Sequence, residues 1–144
     1  MFEILFRGKV SGKKKWVQGD YVRTGNVENI ATRGEYEMIP IVPGTATPYI
    51  NLKDDKRKKI FVGDIVKIFW FEDGKKFEEL VEVTLDQERL AVVLRRIGKE
   101  HFKNEAYVAC LTSRHFQKEV IGNRFDNPEL LTKKGETVFV YGGA

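Results

Sequence analysis

The sequence predicts a mostly β fold: a compact barrel or packed antiparallel sheets, with one or two short helices. Three observations carry this. Aromatic residues make up 12% of the chain and Phe is the commonest of them; Phe and Tyr suit a pleated, half-buried surface. Short apolar runs recur, each bounded by Gly, Asp, Asn or Lys, which is the punctuation of strands and turns. Asp73-Gly74 sits between two such runs, a strong local hairpin signal.

Taken in order, residues 2–6 form an apolar run that reads as a strand ending at Arg7-Gly8, and Gly12-Lys13-Lys14-Lys15 reads as a turn. Residues 16–23 read as a strand interrupted by Gly19-Asp20, and residues 24–35, with Gly25, Asn26, Asn29 and Gly34, read as loop. Residues 36–42 are rich in β-formers. Pro40, Pro43 and Pro48 each remove a ladder donor, so this stretch is edge strand or extended chain at best. Residues 53–59 are a fully polar turn.

Residues 65–97 carry the clearest pattern, a three-stranded antiparallel meander. Its strands are residues 65–72, 77–85 and 89–97, with turns at Asp73-Gly74 and Asp86-Gln87. Period-2 alternation puts Val66, Ile68 and Trp70 on one face and Leu90, Val92 and Leu94 on another. Residues 106–111 fit either a buried strand or one helical face. Residues 120–125 read as a strand, and residues 128–131 as a short helix with Asn127 as N-cap, Pro128 at N1 and Leu130 or Leu131 buried. Residues 137–141 read as a last strand.

A length of 144 residues suits one domain, residues 1–144, large enough to hold a core without staples. The lone cysteine, Cys110, cannot form an intramolecular disulfide. Arg7 and Lys9 follow the first apolar residues at once, so no signal peptide develops, and no apolar run reaches the ~20 residues of a membrane span. The expected location is a cytoplasm.

The net charge is +4, and all of the excess lies in the first half: residues 1–72 hold 13 Lys+Arg against 9 Asp+Glu, and residues 73–144 hold 12 of each. Two clusters stand out, Lys13-Lys14-Lys15 before Trp16, and Lys56-Arg57-Lys58-Lys59 before Phe61. Cations beside aromatic rings are the composition of single-strand nucleic-acid binders on small β-barrels. The plainer reading is two solvated turns flanking strands whose rings are core.

Catalytic chemistry finds little support. Ser occurs only at Ser11 and Ser113, and Ser11 lies in a Gly-Lys turn with no His near it in sequence. Cys110 lies among Val108, Ala109 and Leu111 and reads as a small buried hydrophobe. His101, Cys110 and His115 match no zinc spacing. Asp54-Asp55 reads as a solvated turn rather than a hard-cation site. Gly19-Asp20 and Gly63-Asp64 both enter β-runs, and a Gly-Asp pair there reads as a turn device rather than half of an acid–base pair.

Three blocks together resemble the YopX family of phage and prophage proteins. The first is Glu3-Ile4-Leu5-Phe6-Arg7-Gly8-Lys9 followed by Trp16-Val17-Gln18-Gly19-Asp20. The second is Leu52-Lys53-Asp54, then Ile60-Phe61-Val62-Gly63-Asp64-Ile65-Val66. The third runs from Glu119-Val120-Ile121-Gly122-Asn123 through Arg124-Phe125-Asp126-Asn127 to Pro128-Glu129-Leu130-Leu131. Where the family pattern has Gly in the basic turn and Gly before the Leu of the second block, this sequence has Arg57 and Asn51. Where the pattern has an acidic residue before Gly-Asp, it has Val62. A positive φ at Arg57 would carry strain that Gly avoids.

The resemblance implies a mostly β phage protein and supplies no catalytic residue. The expectation is therefore a non-enzymatic accessory or protein-interaction module without cofactor or metal. It would act on a phage or host protein, with homo-oligomers and weak nucleic-acid affinity through the two lysine clusters as further expectations. Single-stranded nucleic-acid or polyanion binding is the alternative.

Overall fold

The computed structural model describes residues 2–97, 105–106, 108–132 and 138–140. They group into two compact units, residues 1–51 and 52–144, and two open antiparallel sheets rather than a closed barrel. Among the described residues, helical turns are confined to the 3-10 segments Val108–Leu111 and Pro128–Thr132.

In the first unit, β1 (Phe6–Lys9), β2 (Trp16–Thr24), β3 (Val27–Ala31) and β4 (Met38–Pro40) form successive antiparallel pairs. β5 (Thr47–Lys53) pairs with the other side of β1. β3 lies where the sequence reads as loop. Gly25 takes φ 60° at the first central position of a two-residue turn, the hallmark of a type II′ hairpin, whose twist matches the flanking strands. Main-chain bonds from Val42 N to Lys9 O (2.7 Å) and from Ser11 N to Pro40 O (3.1 Å) tie the end of β4 to the end of β1. Leu5, Val10, Ile30 and Ile41 are buried in this unit.

Other expectations shift here. Residues 2–5 stay outside the strand, which begins at Phe6. β2 runs unbroken through Gly19-Asp20, because Gly19 is needed for closeness to β3 and not for a turn. β4 is an edge strand, which its Pro40 suits. Pro48, by contrast, lies inside β5, opposite Phe6 of β1, and the second unit opens with β6 (Lys59–Phe61).

In the second unit the meander is present as β7 (Asp64–Glu72), β8 (Lys75–Asp86) and β9 (Ala91–Arg96). Asp73 and Gly74 both have positive φ, 50° and 75°, which makes a type I′ turn. The second turn spans residues 87–90, not Asp86-Gln87. The Asp86 carboxylate accepts from the N–H groups of Glu88 and Arg89 and holds it. Leu90 therefore leaves the strand, takes φ 50° and is 83% exposed. Val66 and Ile68 are buried on the face that Trp70 shares, and Trp70 stacks on Phe77 with centroids 5.5 Å apart.

β11 (Gln117–Asn123) pairs with β7, with a bulge between Val120 and Gly122, and starts three residues earlier than the sequence suggests. β10 (Glu105–Ala106) pairs with β9. β12 (Val138–Val140) pairs with the N-terminal half of β8, while β9 takes its C-terminal half. Residues 137 and 141 of the expected last strand lie outside the described residues.

The segment after β11 is a 3-10 turn, Pro128–Thr132, and Asn127 does not cap it through its side chain. Asn127 Oδ1 turns back to accept from Asn123 N at 3.2 Å. Leu130 and Leu131 are half-buried rather than core. A Cβ on Gly122 would stand 2.5 Å from Asn127 Oδ1, so the bulge and the Asn are one device.

Candidate functional site

The two basic clusters lie one in each unit. Lys13, Lys14 and Lys15 are exposed in the turn between β1 and β2, closed by Val10 N to Lys15 O at 2.8 Å. Trp16 opens β2 half-buried, and the buried Arg7 places its guanidinium 4.8 Å from the centroid of that ring.

The second cluster is mounted on Asp54. This carboxylate is not solvated: Asp54 is 5% exposed. Its Oδ1 accepts from Lys56 N (2.9 Å) and Lys58 N (2.8 Å), and its Oδ2 from Val120 N (2.9 Å). The neighbouring Asp55 bonds Lys118 twice, N to O and Oδ2 from N, each at 3.0 Å. Lys56 Nζ reaches Glu119 Oε1 at 2.7 Å, and that hydrogen bond holds the ammonium pKa above its ordinary value. Lys56, Arg57 and Lys58 point to solvent, while Lys59 is half-buried in β6. Phe61 is 2% exposed and belongs to the core.

Arg57 takes φ 63° and Asn51 takes φ 64°, left-handed values that glycine adopts without strain. Arg in the left-handed region costs about 1–2 kcal/mol, which Gly avoids. Arg57→Gly is expected to raise stability by about 1 kcal/mol, read as a higher urea midpoint at unchanged slope. An equal or lower midpoint would show that the turn does not carry that strain.

The two Gly-Asp pairs do different work. Asp64 is fully buried and its Oδ2 accepts from Phe61 N at 2.8 Å, closing the turn into β7. Asp20 lies exposed in β2 and pairs with Arg33 at 2.9 Å.

One group was not legible in the sequence. Glu82, 2% exposed on β8, receives Arg95 through Nε (3.1 Å) and Nη2 (2.7 Å), and Arg124 Nη1 lies 3.6 Å from its other oxygen. Arg124 N also bonds Gly63 O at 2.8 Å, which joins the second and third sequence blocks. A buried carboxylate needs compensation, and here arginine guanidinium groups supply it where Asp54 and Asp64 use main-chain N–H groups. The only sequence signal for Glu82 was an acid inside an apolar run, with its partners 13 and 42 positions away.

Cys110 lies half-buried in the 3-10 turn Val108–Leu111, less enclosed than a core hydrophobe; the buried side chain of that turn is Leu111, 1% exposed. Burial pushes its thiol pKa up, and the Glu79 charge adds to that. Ser113 Oγ accepts from the main-chain N–H of His115 at 3.2 Å. Ser11 is exposed in its turn, and His101 lies outside the described residues. Among the described residues no group of three or more His, Cys, Asp or Glu is placed to hold a metal. No described helix is long and apolar enough to cross a membrane.

Fold and site together define a mostly β protein of two open sheets whose signature residues act as structural pins. The profile of the YopX protein family matches residues 5–132, and the chain belongs to that family. A comparison with curated proteins finds no match.

Proposed function

We propose that this YopX-family protein is a non-enzymatic accessory protein of phage or prophage origin. It acts in the host cytoplasm by contact with another protein. The observation that supports this reading is the state of the rings beside the basic turns. Phe61 is core, and Trp16 is half-buried with the Arg7 guanidinium over its ring, so neither ring lies open beside its cluster as a stacking platform would. Apolar side chains elsewhere face solvent, Tyr36 at 87% among them, and exposed aromatics are common anchors of protein contacts.

The alternative is polyanion binding, favoured by the outward-facing Lys56, Arg57 and Lys58. A titration of labelled single-stranded DNA decides between them, with wild type and with Lys56, Arg57, Lys58 and Lys59 changed to Gln. The contact reading expects weak, sequence-blind binding at low salt that vanishes at physiological salt and differs little in the variant. Each phosphate truly neutralised would add about 0.7 to the log–log salt slope. Binding that survives physiological salt and collapses in the variant would replace the contact reading with the polyanion one.

A further inference from the structure

The hairpin between β3 and β4 carries a cost that the fold does not recover. Its loop, residues 33–36, is closed by Thr32. Thr32 N donates to Glu37 O (2.8 Å), Glu37 N to Thr32 Oγ1 (3.1 Å) and Tyr36 N to Thr32 O (3.1 Å). The last loop residue, Tyr36, takes φ 57°, a left-handed backbone that Gly and Asn adopt far more readily than an aromatic residue. Among the described residues Tyr36 is also the most exposed large apolar side chain, at 87%. One residue thus combines a strained backbone with a ring left in water. Glu35 and Glu37 on either side are exposed too, and among the described residues neither carboxylate has a partner. The nearest cation in sequence, Arg33, is turned onto Asp20 at 2.9 Å and onto the Ile4 carbonyl. On a chain of net charge +4, this tip presents two uncompensated carboxylates around a ring.

We propose that Glu35-Tyr36-Glu37 is the point at which this protein docks its partner, and that it receives a Lys- or Arg-rich segment of that partner. The inference rests on the protein-contact reading and names the partner's chemistry. Charge complementarity selects the occupant. A ring face attracts an ammonium or guanidinium, and the flanking carboxylates accept its hydrogen bonds. Nucleic acid is repelled by the same two charges. The strain fits display: a turn clamped by Thr32 holds the ring in place before the partner arrives, which lowers the ordering cost of binding. Residues held in sparsely populated backbone regions gather at such contacts. Leu90 supplies the contrast. It too is left-handed, at φ 50°, and 83% exposed, but its immediate neighbours are Arg89 and Ala91, so it lacks the paired acids that select a cation.

The test is a titration of the full chain with a hexalysine peptide at low salt, followed by amide chemical shifts. Hexalysine is expected to shift residues 33–38 first. Tyr36→Asn keeps a residue suited to the left-handed turn. It should raise the urea midpoint and weaken hexalysine binding about threefold. Glu35→Gln combined with Glu37→Gln should weaken it about tenfold. Leu90→Asn should also raise the midpoint but leave hexalysine binding unchanged, which separates relief of strain from loss of contact. Hexalysine shifts centred elsewhere, or binding unchanged in both tip variants, would overturn the proposal. So would shifts at residues 33–38 caused by single-stranded DNA rather than hexalysine. A lower midpoint in Tyr36→Asn would show that the ring serves the fold, and would overturn it as well. The DNA titration reads residues 56–59 and this one reads residues 33–38, so the contact reading and its docking point fail independently.

Discussion

Asp54→Asn is expected to destabilise the protein by about 3 kcal/mol, the cost of leaving a buried N–H facing another donor together with a lost charge-assisted hydrogen bond. The change is isosteric, which makes it informative. Both carboxylate oxygens accept from main-chain N–H groups, Lys56 and Lys58 on one side and Val120 on the other. An amide has one acceptor, so one side must meet an NH2 group whichever way the side chain turns. Asp54→Ala loses all of these bonds and should cost more. For a domain of this size the Asn variant should melt roughly 10 °C lower. Urea unfolding at unchanged slope measures the loss, and a shift under about 1 kcal/mol would show that water replaces these bonds. A cation-binding role for Asp54 predicts the reverse, since removing one of two adjacent carboxylates relieves repulsion when no metal is present.

Gly19→Ala is expected to cost about 3 kcal/mol or more, at the upper end of overpacking penalties. An alanine Cβ at this position would stand 2.1 Å from the carbonyl oxygen of Ala31. The obstacle is main chain of β3, so relief requires prising apart the β2–β3 pair. Gly8 supplies the contrast. Its Cβ would meet Ile41 Cδ1 at 2.6 Å and Cγ2 at 2.8 Å, side-chain atoms of a buried residue that yield by local repacking and not by parting two strands. Gly12 has nothing within 4 Å and only a positive φ of 74°, so its penalty is the left-handed backbone term of about 1 kcal/mol. The expected order of destabilisation by Ala is Gly19, then Gly8, then Gly12. Thermal unfolding of the three variants reads it, and a Gly19→Ala protein as stable as Gly12→Ala would refute the packing argument.

Local chemistry was legible in the sequence, and long-range partners were not. The β7–β8 hairpin could be read because Asp73-Gly74 and the alternation around it lie within a few residues. β3 was missed because its hairpin turn, Gly25-Asn26, lies among polar residues that also describe a loop. The second meander turn was placed too early because nothing in Gln87 to Leu90 announces that Leu90 adopts a left-handed backbone. Asp54 looked solvated beside its run of cations, yet Val120, the partner that buries it, is 66 positions away. The three YopX-like blocks were visible as motifs. What each holds became clear only in three dimensions: Gly19 lets β2 approach β3, Asp54 pins a turn to β11, and Gly122 makes room for Asn127.

The sharing of β8 between β9 and β12 also bears on the order of folding. The β7–β8 and β8–β9 pairs close short loops and can form within microseconds of each other. β12 reaches β8 from about 60 residues later in the chain, where loop closure costs more entropy. During synthesis the segment Lys76–Glu78 therefore waits with one side of its backbone open after the rest of β8 is paired. Its charges, Lys76 and Glu78, joined at 2.9 Å, are the kind of side chains that discourage a stray strand from docking there first.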